Sequence, residues 1–369
     1  MVSFSSDNAS GVAPEILRAL EAANSGPAMP YGADDETRRF EARLAEVFET
    51  DLTAFPVATG TAANVLALSV MVPPYGAVYC HQEAHIQVDE CGAPEFYTGG
   101  AKLVPLAGAH AKLEPATLAG AIEGAGNVHA VQPAAISLTQ ASEAGTVYTP
   151  EETAALAQVA RGHGLGVHMD GARFANALAA LGCSPAEATW KAGVDALSFG
   201  ATKNGALGAE AVVLFRPELA ATFAYRRKRG GHLFSKMRFL SAQLNAYLDD
   251  DLWLRNAAHA NAMARRLAEG LTGGLTERPS GGLAEGPSGG RNGLPGASLL
   301  HPVEANEVFA RLPEPVIAGL LAAGFAFYRW GPEENAEVRL VASFNTKPAD
   351  VDKFLATAQR LAEAAAPAA

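Results

Sequence analysis

The chain has 369 residues, enough to bury a full core and, by length, about two domains. Its net charge of −11 is spread along the sequence and argues against a nucleic-acid surface; the 49% hydrophobic content includes no run of eighteen apolar residues that would span a membrane. The start, MVSFSSDNASG, lacks the basic and apolar stretches of a secretory signal, and the cysteines (Cys80, Cys91, Cys183) are odd in number and lack metal-ligand spacing. The expectation is a reduced, cytoplasmic protein with no metal site.

Residues 4–11 are polar and turn-like, and Ser6 and Asp7 read there as surface-turn or helix-cap residues. Residues 14–23 have helical periodicity. MPYGADD, residues 29–35, is a turn before an amphipathic helix over 36–48, and Tyr31 beside Gly32 is either a packing aromatic or a group reaching a site. Within residues 55–69, FPVATGTAANVLALS, an apolar run ends at Thr59-Gly60-Thr61 and small helix formers follow. A strand, a glycine turn and a helix start point backbone N–H groups and the helix dipole at an anion. Neither a Walker sequence nor GxGxxG is present, so the choice lies between a phosphate cradle and an ordinary capped helix.

Residues 77–100 hold His81, Glu83, His85, Asp89, Glu90 and Cys91 at spacings of no zinc pattern. His85 is either a surface histidine or a stacking or proton-handling group. Residues 130–138 read as a buried strand, 139–149 as a polar loop and 151–163 as a helix. A short strand at 166–169 ends in Asp170-Gly-Ala-Arg173, an acid where alternating strand–helix chains place their sites, or else only a surface ion pair. Two apolar runs, 194–199 and 211–215, flank a loop of small residues around Lys203. That lysine either points at water or is a desolvated amine able to form a Schiff base with a carbonyl.

Taken together, these strand ends fit pyridoxal phosphate. The cofactor needs a lysine for its aldehyde, an anion cradle for its phosphate and a carboxylate for its pyridine nitrogen. Lys203, Gly60 with Thr61, and Asp170 supply those three; His85 offers a flat partner for the ring, and Arg173 or Arg339 a guanidinium for an amino-acid carboxylate. The basic run at 225–238 is a solvated face or a phosphate contact, possible across a subunit interface. A long helical stretch over 240–271 follows. Residues 272–298 repeat PSGG and have the composition of a flexible surface loop. Strands at 299–312 and 337–344 and helices at 314–323 and 348–365 complete the chain, with Arg339 among apolar strand neighbours that call for an anionic partner.

The stretches SDNASG (6–11), TGTAAN (59–64), AHIQVDECGAPE (84–95), HMDGARFANA (168–177) and SFGATKNG (198–205) resemble the threonine aldolase family, in the β-eliminating lyase group of pyridoxal-phosphate enzymes. The resemblance implies an α/β chain of the aspartate-aminotransferase-like fold type I. A mostly parallel seven-stranded sheet would belong to a large cofactor-binding domain over 31–245, after an arm over 1–30. A small α+β domain would occupy 246–369. It also implies a homotetramer with sites at dimer interfaces and a retro-aldol cleavage of L-β-hydroxy-α-amino acids to glycine and an aldehyde. Other reactions of the same scaffold, β-elimination or transamination, are the alternatives, and a non-catalytic amino-acid-binding module is a further one that intact Lys203 and Asp170 oppose.

By resemblance, Lys203 would hold the cofactor, Asp170 would pair with its ring nitrogen, Gly60 and Thr61 would cradle its phosphate and His85 would stack on the ring. Ser6, Arg173 and Arg339 would bind the substrate carboxylate, with Tyr31 nearby. Lys228 and Lys236 would reach a neighbouring subunit's phosphate. Many family members carry ENTHN, whose histidine lies near the substrate hydroxyl; here TQASEAG, residues 139–145, places Ser142 there. The base at that hydroxyl is then His85 or a water molecule.

Overall fold

In the computed structural model, residues 2–274 and 293–365 are described; most of the stretch expected as a flexible loop, 275–292, lies outside them. The seven strands of the main sheet are β1 (Thr53–Val57), β2 (Gly76–His81), β3 (Lys102–Leu106), β4 (Gln132–Thr139), β5 (Gly166–Gly171), β6 (Ala196–Gly200) and β7 (Glu210–Leu214). Their order across the sheet is β1-β7-β6-β5-β4-β2-β3. β7 runs against both neighbours, and the other pairs are parallel. Every residue of β2, β6 and β7 is buried, as sheets covered on both faces require, which is why these strands read as unbroken apolar runs rather than alternations.

Helix α1 (Gly60–Met71) buries eight consecutive residues, Ala62 to Ser69, and its start is capped by Thr59, whose side chain accepts the Ala62 N–H at 3.1 Å. Helices α2 (Phe174–Leu181), α3 (Pro217–Arg229), α4 (Arg238–Leu248) and α5 (Leu252–Thr272) follow in chain order. The helical stretch expected over 240–271 is therefore two helices. Asp250 and Asp251 between them take left-handed φ values of 52° and 54°, a conformation aspartate tolerates and a continuing helix does not. Phe48, Phe174, Phe199, Tyr247 and Trp253 interlock with ring centroids 5.7–6.3 Å apart beneath the end of β6.

A second sheet contains β8 (Ser298–Leu299), β9 (Glu307–Arg311), β10 (Tyr328–Trp330) and β11 (Glu337–Val341), antiparallel throughout in the order β10-β11-β9-β8. The strand expected over 299–312 is broken in two, with Pro302 in the gap, where a ladder donor is missing. Core membership changes within α5: Trp253 and Ala257 pack with the first sheet, Met263 to Leu271 with the second. The amino-terminal Val2–Ser3 pairs with Phe325–Ala326, and buried Phe4 meets Phe354 edge-to-face at 5.3 Å. The chain then leaves this second core for the end of the main sheet, carrying Asp7 with it. Among the described residues, no helix is long and apolar enough to cross a membrane.

Candidate active site

Lys203 lies in a single 3-10 turn, Thr202–Asn204, between β6 and β7. Everything around it is tied down. Asn204 donates to the Tyr247 hydroxyl and the Trp253 carbonyl, both at 2.8 Å, and its own carbonyl accepts from Asn256 at 2.9 Å. The Ala201 N–H donates to the buried Glu210 carboxylate at 2.8 Å, and burial pushes that carboxyl up to about 7. Gly205 closes the turn at φ 117°, a value that favours glycine. Lys203 itself is half-buried, and among the described residues its amine has no hydrogen-bond or ion-pair partner.

Asp170 is the last residue but one of β5 next door, 3% exposed. Its Oδ1 accepts the Ala172 N–H at 3.0 Å and its Oδ2 the Asn64 amide at 2.8 Å. This turn can sit so low because Gly200 has no side chain: a Cβ there would come within 2.6 Å of the Ala172 carbonyl oxygen. The Asn64 amide also donates to Glu90 at 2.8 Å, and Glu90 holds His85 Nδ1 at 2.8 Å. His85, Glu90 and Asp170 thus offer ligand atoms within 4.8 Å of one another, joined through Asn64 as a hydrogen-bonded chain. The Glu90 carboxylate raises the His85 pKa, and burial raises that of Glu90. Beneath them His168 bridges Ser137 at 2.9 Å and Ser198 at 3.0 Å, and burial pushes its imidazole down to about 4.

On the other side, Arg173 precedes α2 and is 5% exposed. Its Nε and Nη2 donate to the two Asp7 oxygens at 2.7 and 3.1 Å, and its Nη1 lies 3.2 Å from Glu307 Oε2. The second oxygen of Glu307 accepts from Arg339 Nε at 3.2 Å, and Asn306 donates to Asp7 at 3.1 Å. Burial alone would push the Asp7 carboxyl up; Arg173 and Lys203 outweigh it and hold it below the ordinary range. Against the same desolvation, Asp7 and Glu307 hold the Arg173 guanidinium protonated more firmly than usual.

The structure therefore brings together Lys203, Asp170, His85, Arg173 and Arg339, five of the residues singled out in the sequence. Gly60 and Thr61 open α1, whose Asn64 reaches Asp170 one turn on, and no atom lies within 4 Å of where a Gly60 side chain would project. Ser6 stands beside Asp7, its hydroxyl accepting the Asn8 N–H at 3.1 Å. Tyr31, Lys228 and Lys236 are exposed and lie in a separate patch: the Lys228 amine sits 4.9 Å over the Tyr31 ring, and the Tyr31 N–H donates to the Ser235 carbonyl at 3.0 Å. Asp7, Glu307, Glu90 and Asn64 belong to the cluster and were not legible as such in the sequence.

This set fits pyridoxal phosphate. An unpartnered lysine amine, a buried carboxylate with a fixed orientation and a helix start with open space at Gly60 are the three features that cofactor needs, and Lys203, Asp170 and Gly60-Thr61 would hold it.

Comparison with known proteins agrees. The chain is 45% identical over 343 residues to the low specificity L-threonine aldolase of Pseudomonas aeruginosa, 93% of each chain, and 42% identical over 353 residues to that of a Pseudomonas species, 96% of each. Its structure is similar to Leishmania major threonine aldolase with a TM-score of 0.87 and 27% identity, covering 98% of this chain and 100% of that one. It shares the fold of Thermus thermophilus aspartate aminotransferase, TM-score 0.67 at 17% identity over 98% and 91% of the two chains. With residues 3–278 matching the beta-eliminating lyase family, the chain belongs to that family of pyridoxal-phosphate enzymes, on its threonine aldolase branch.

Proposed function

We propose that the protein cleaves L-threonine, L-allo-threonine and related L-β-hydroxy-α-amino acids, phenylserine among them, to glycine and an aldehyde. The observation that carries this reading is the convergence of an unpartnered lysine, a buried, oriented acid and two arginines at one end of the main sheet, in a chain of this family. Pyridoxal phosphate, when bound, supplies an aldehyde for the substrate amine and a ring that takes up the electrons of the broken Cα–Cβ bond.

The chain's own residues would divide the remaining work. Lys203 would hold the cofactor and give way to the substrate amine; its turn is fixed by neighbours, so its flexible stem provides the movement. Asp170, its carboxylate oriented by Asn64 and the Ala172 N–H, would keep a proton on the ring nitrogen. His85 would face the ring, oriented by Glu90. Gly60 and Thr61 would receive the phosphate at the α1 start. Arg173 and Arg339 would receive the substrate carboxylate with Ser6 beside them, an assignment supported by the planar fork that arginine presents to a carboxylate. The exposed Tyr31, Lys228 and Lys236 suit a site completed by a neighbouring subunit, in a homotetramer with sites at dimer interfaces. Free cysteines at Cys80, Cys91 and Cys183 suit a cytoplasmic location.

Aldehyde release from L-allo-threonine and L-threo-phenylserine tests the reading, with Lys203→Ala alongside. Wild type should release aldehyde and glycine in equal amounts, and the variant none. Pyruvate with ammonia, or a keto acid, as the product would replace the aldolase assignment by elimination or transamination.

A further inference from the structure

Ser142, at the position of the family's histidine, has another task here. It is fully buried, its hydroxyl 2.7 Å from that of Thr146 and 3.1 Å from the His110 carbonyl, to which Thr146 also donates at 2.8 Å. The loop is fastened on its far side too. The Ala305 N–H donates to the Gly145 carbonyl at 3.0 Å, and the Val147 N–H to the Glu304 carboxylate at 2.8 Å. Gly145, at φ 73°, lies so close to Glu307 that a Cβ would stand 3.1 Å from it.

Between these fixed points sits Glu143. It is half-buried, and among the described residues its carboxylate has neither a hydrogen bond nor an ion pair. The charges acting on it are Lys203, Arg173, Glu307 and Asp170, and it acts in turn on His85. The loop itself borders the site: the Gln140 N–H donates to the Asp170 carbonyl at 2.7 Å and Gly145 packs on Glu307, so Glu143 stands between Asp170 and the carboxylate that holds Arg173. His85 is less free: its Nδ1 is held by Glu90 at 2.8 Å and its Nε2 lies 3.7 Å from Asp89.

Resting on the aldolase reading above, we propose that Glu143 is the catalytic base that takes the proton of the substrate's β-hydroxyl. The hydroxyl O–H bond breaks as an O–H bond to Glu143 forms, and the oxygen's electron pair becomes the second bond of the aldehyde carbonyl. The Cα–Cβ pair stays with the glycine fragment, whose α-carbon then takes up one proton. Burial pushes the Glu143 carboxyl above the usual carboxylate range, the direction a base working near neutrality needs.

The test uses the full-length, cofactor-loaded enzyme and two reactions. Aldehyde release from L-allo-threonine involves the hydroxyl; exchange of the glycine α-hydrogen for deuterium in heavy water does not. Glu143→Gln should lower kcat/KM for aldehyde release by roughly 10²–10⁴-fold while leaving glycine exchange within about threefold of wild type, and Glu143→Asp should recover part of the loss. Aldehyde release within about threefold of wild type would overturn the proposal, as would an equal fall in both reactions. A wild type that exchanges glycine yet releases no aldehyde would overturn the aldolase reading and the proposal together.

Discussion

Arg173 and Arg227 are buried to nearly the same degree, 5% and 8% exposed, and are treated in opposite ways. Arg173 is wrapped by Asp7 and Glu307, and these carboxylates hold its charge more firmly than in water. Among the described residues Arg227, in α3, donates only to the Pro56 carbonyl at 3.3 Å and lies 5.0 Å over the Phe55 ring, with its Nε unpartnered. Burial pulls its guanidinium down to about 10. The difference separates a cation whose charge is matched by buried carboxylates from one retained for packing. Under the proposed function, a substrate carboxylate at Arg173 would meet a guanidinium already desolvated and would have to displace one of the carboxylates that hold it. Arg227 has a long aliphatic stem in an apolar layer and gains little from its charge.

The comparison breaks most sharply at Arg173. Arg173→Met strands two buried carboxylates, and denaturant unfolding should show a loss of about 3–5 kcal/mol. A loss below about 1 kcal/mol would mean the network is not what holds these groups in place. Asp7→Asn removes one carboxylate and should cost about 2 kcal/mol at neutral pH, the usual loss for a hydrogen bond to a charged group. Its pH dependence has a definite sign. The folded Asp7 pKa is lowered, so its stabilisation is present above the unfolded value and disappears as pH falls through the lower folded one. Wild type should therefore lose stability below about pH 4, and Asp7→Asn should lose less over the same range.

Arg339 is half-buried and makes one 3.2 Å bond to Glu307 with a Trp330 ring 5.3 Å away. Arg339→Ala should raise KM roughly tenfold with kcat changed less than about twofold; an unchanged KM would remove it from the carboxylate site. The smallest effect belongs to Arg227→Met, which replaces an unpaired buried charge by an apolar chain of similar length. Activity should be unchanged and stability higher by about 1 kcal/mol in thermal unfolding. A loss of several kcal/mol would show that the charge has an anionic partner after all.

Lys203 and Asp170 were legible because each lies at or just past the end of a buried strand in an alternating chain, where a charged residue contrasts with its neighbours. The seven-stranded sheet was legible by family resemblance and five of its strands by their apolar runs, whereas Gly76–His81 and Lys102–Leu106 were not singled out. Asp7 was not: its meaning comes from Arg173, 166 residues away, and Asn306, 299 away, and no local pattern carries a pairing that long. Glu307 reads as one acid at a strand start until the fold sets it between two arginines. Glu143 carried no signal: it adjoins the expected Ser142, and only the folded loop, which buries Ser142 against Thr146 and the His110 carbonyl, sets the two apart. The break at Asp249–Asp251 did have a signal, three consecutive turn-forming acids within an apparently continuous helix.

His168 in β5 and Glu210 in β7 flank the strand that leads to Lys203, and folding moves their proton affinities in opposite directions. His168 falls from 6.5 to about 4, so between those values the unfolded chain binds a proton that the native one refuses, and stability rises with pH. Glu210 rises from 4.5 to about 7, so over nearly the same interval the native chain keeps a proton that the unfolded one releases, and stability falls with pH. At about 1.36 kcal/mol per decade of affinity, each swing is worth roughly 3 kcal/mol. Their sum is close to zero, leaving the native state nearly indifferent to mild acidification from this pair. Replacing Glu210 by glutamine would uncover the histidine alone, and the protein would become less stable on going from about pH 6.5 to 5.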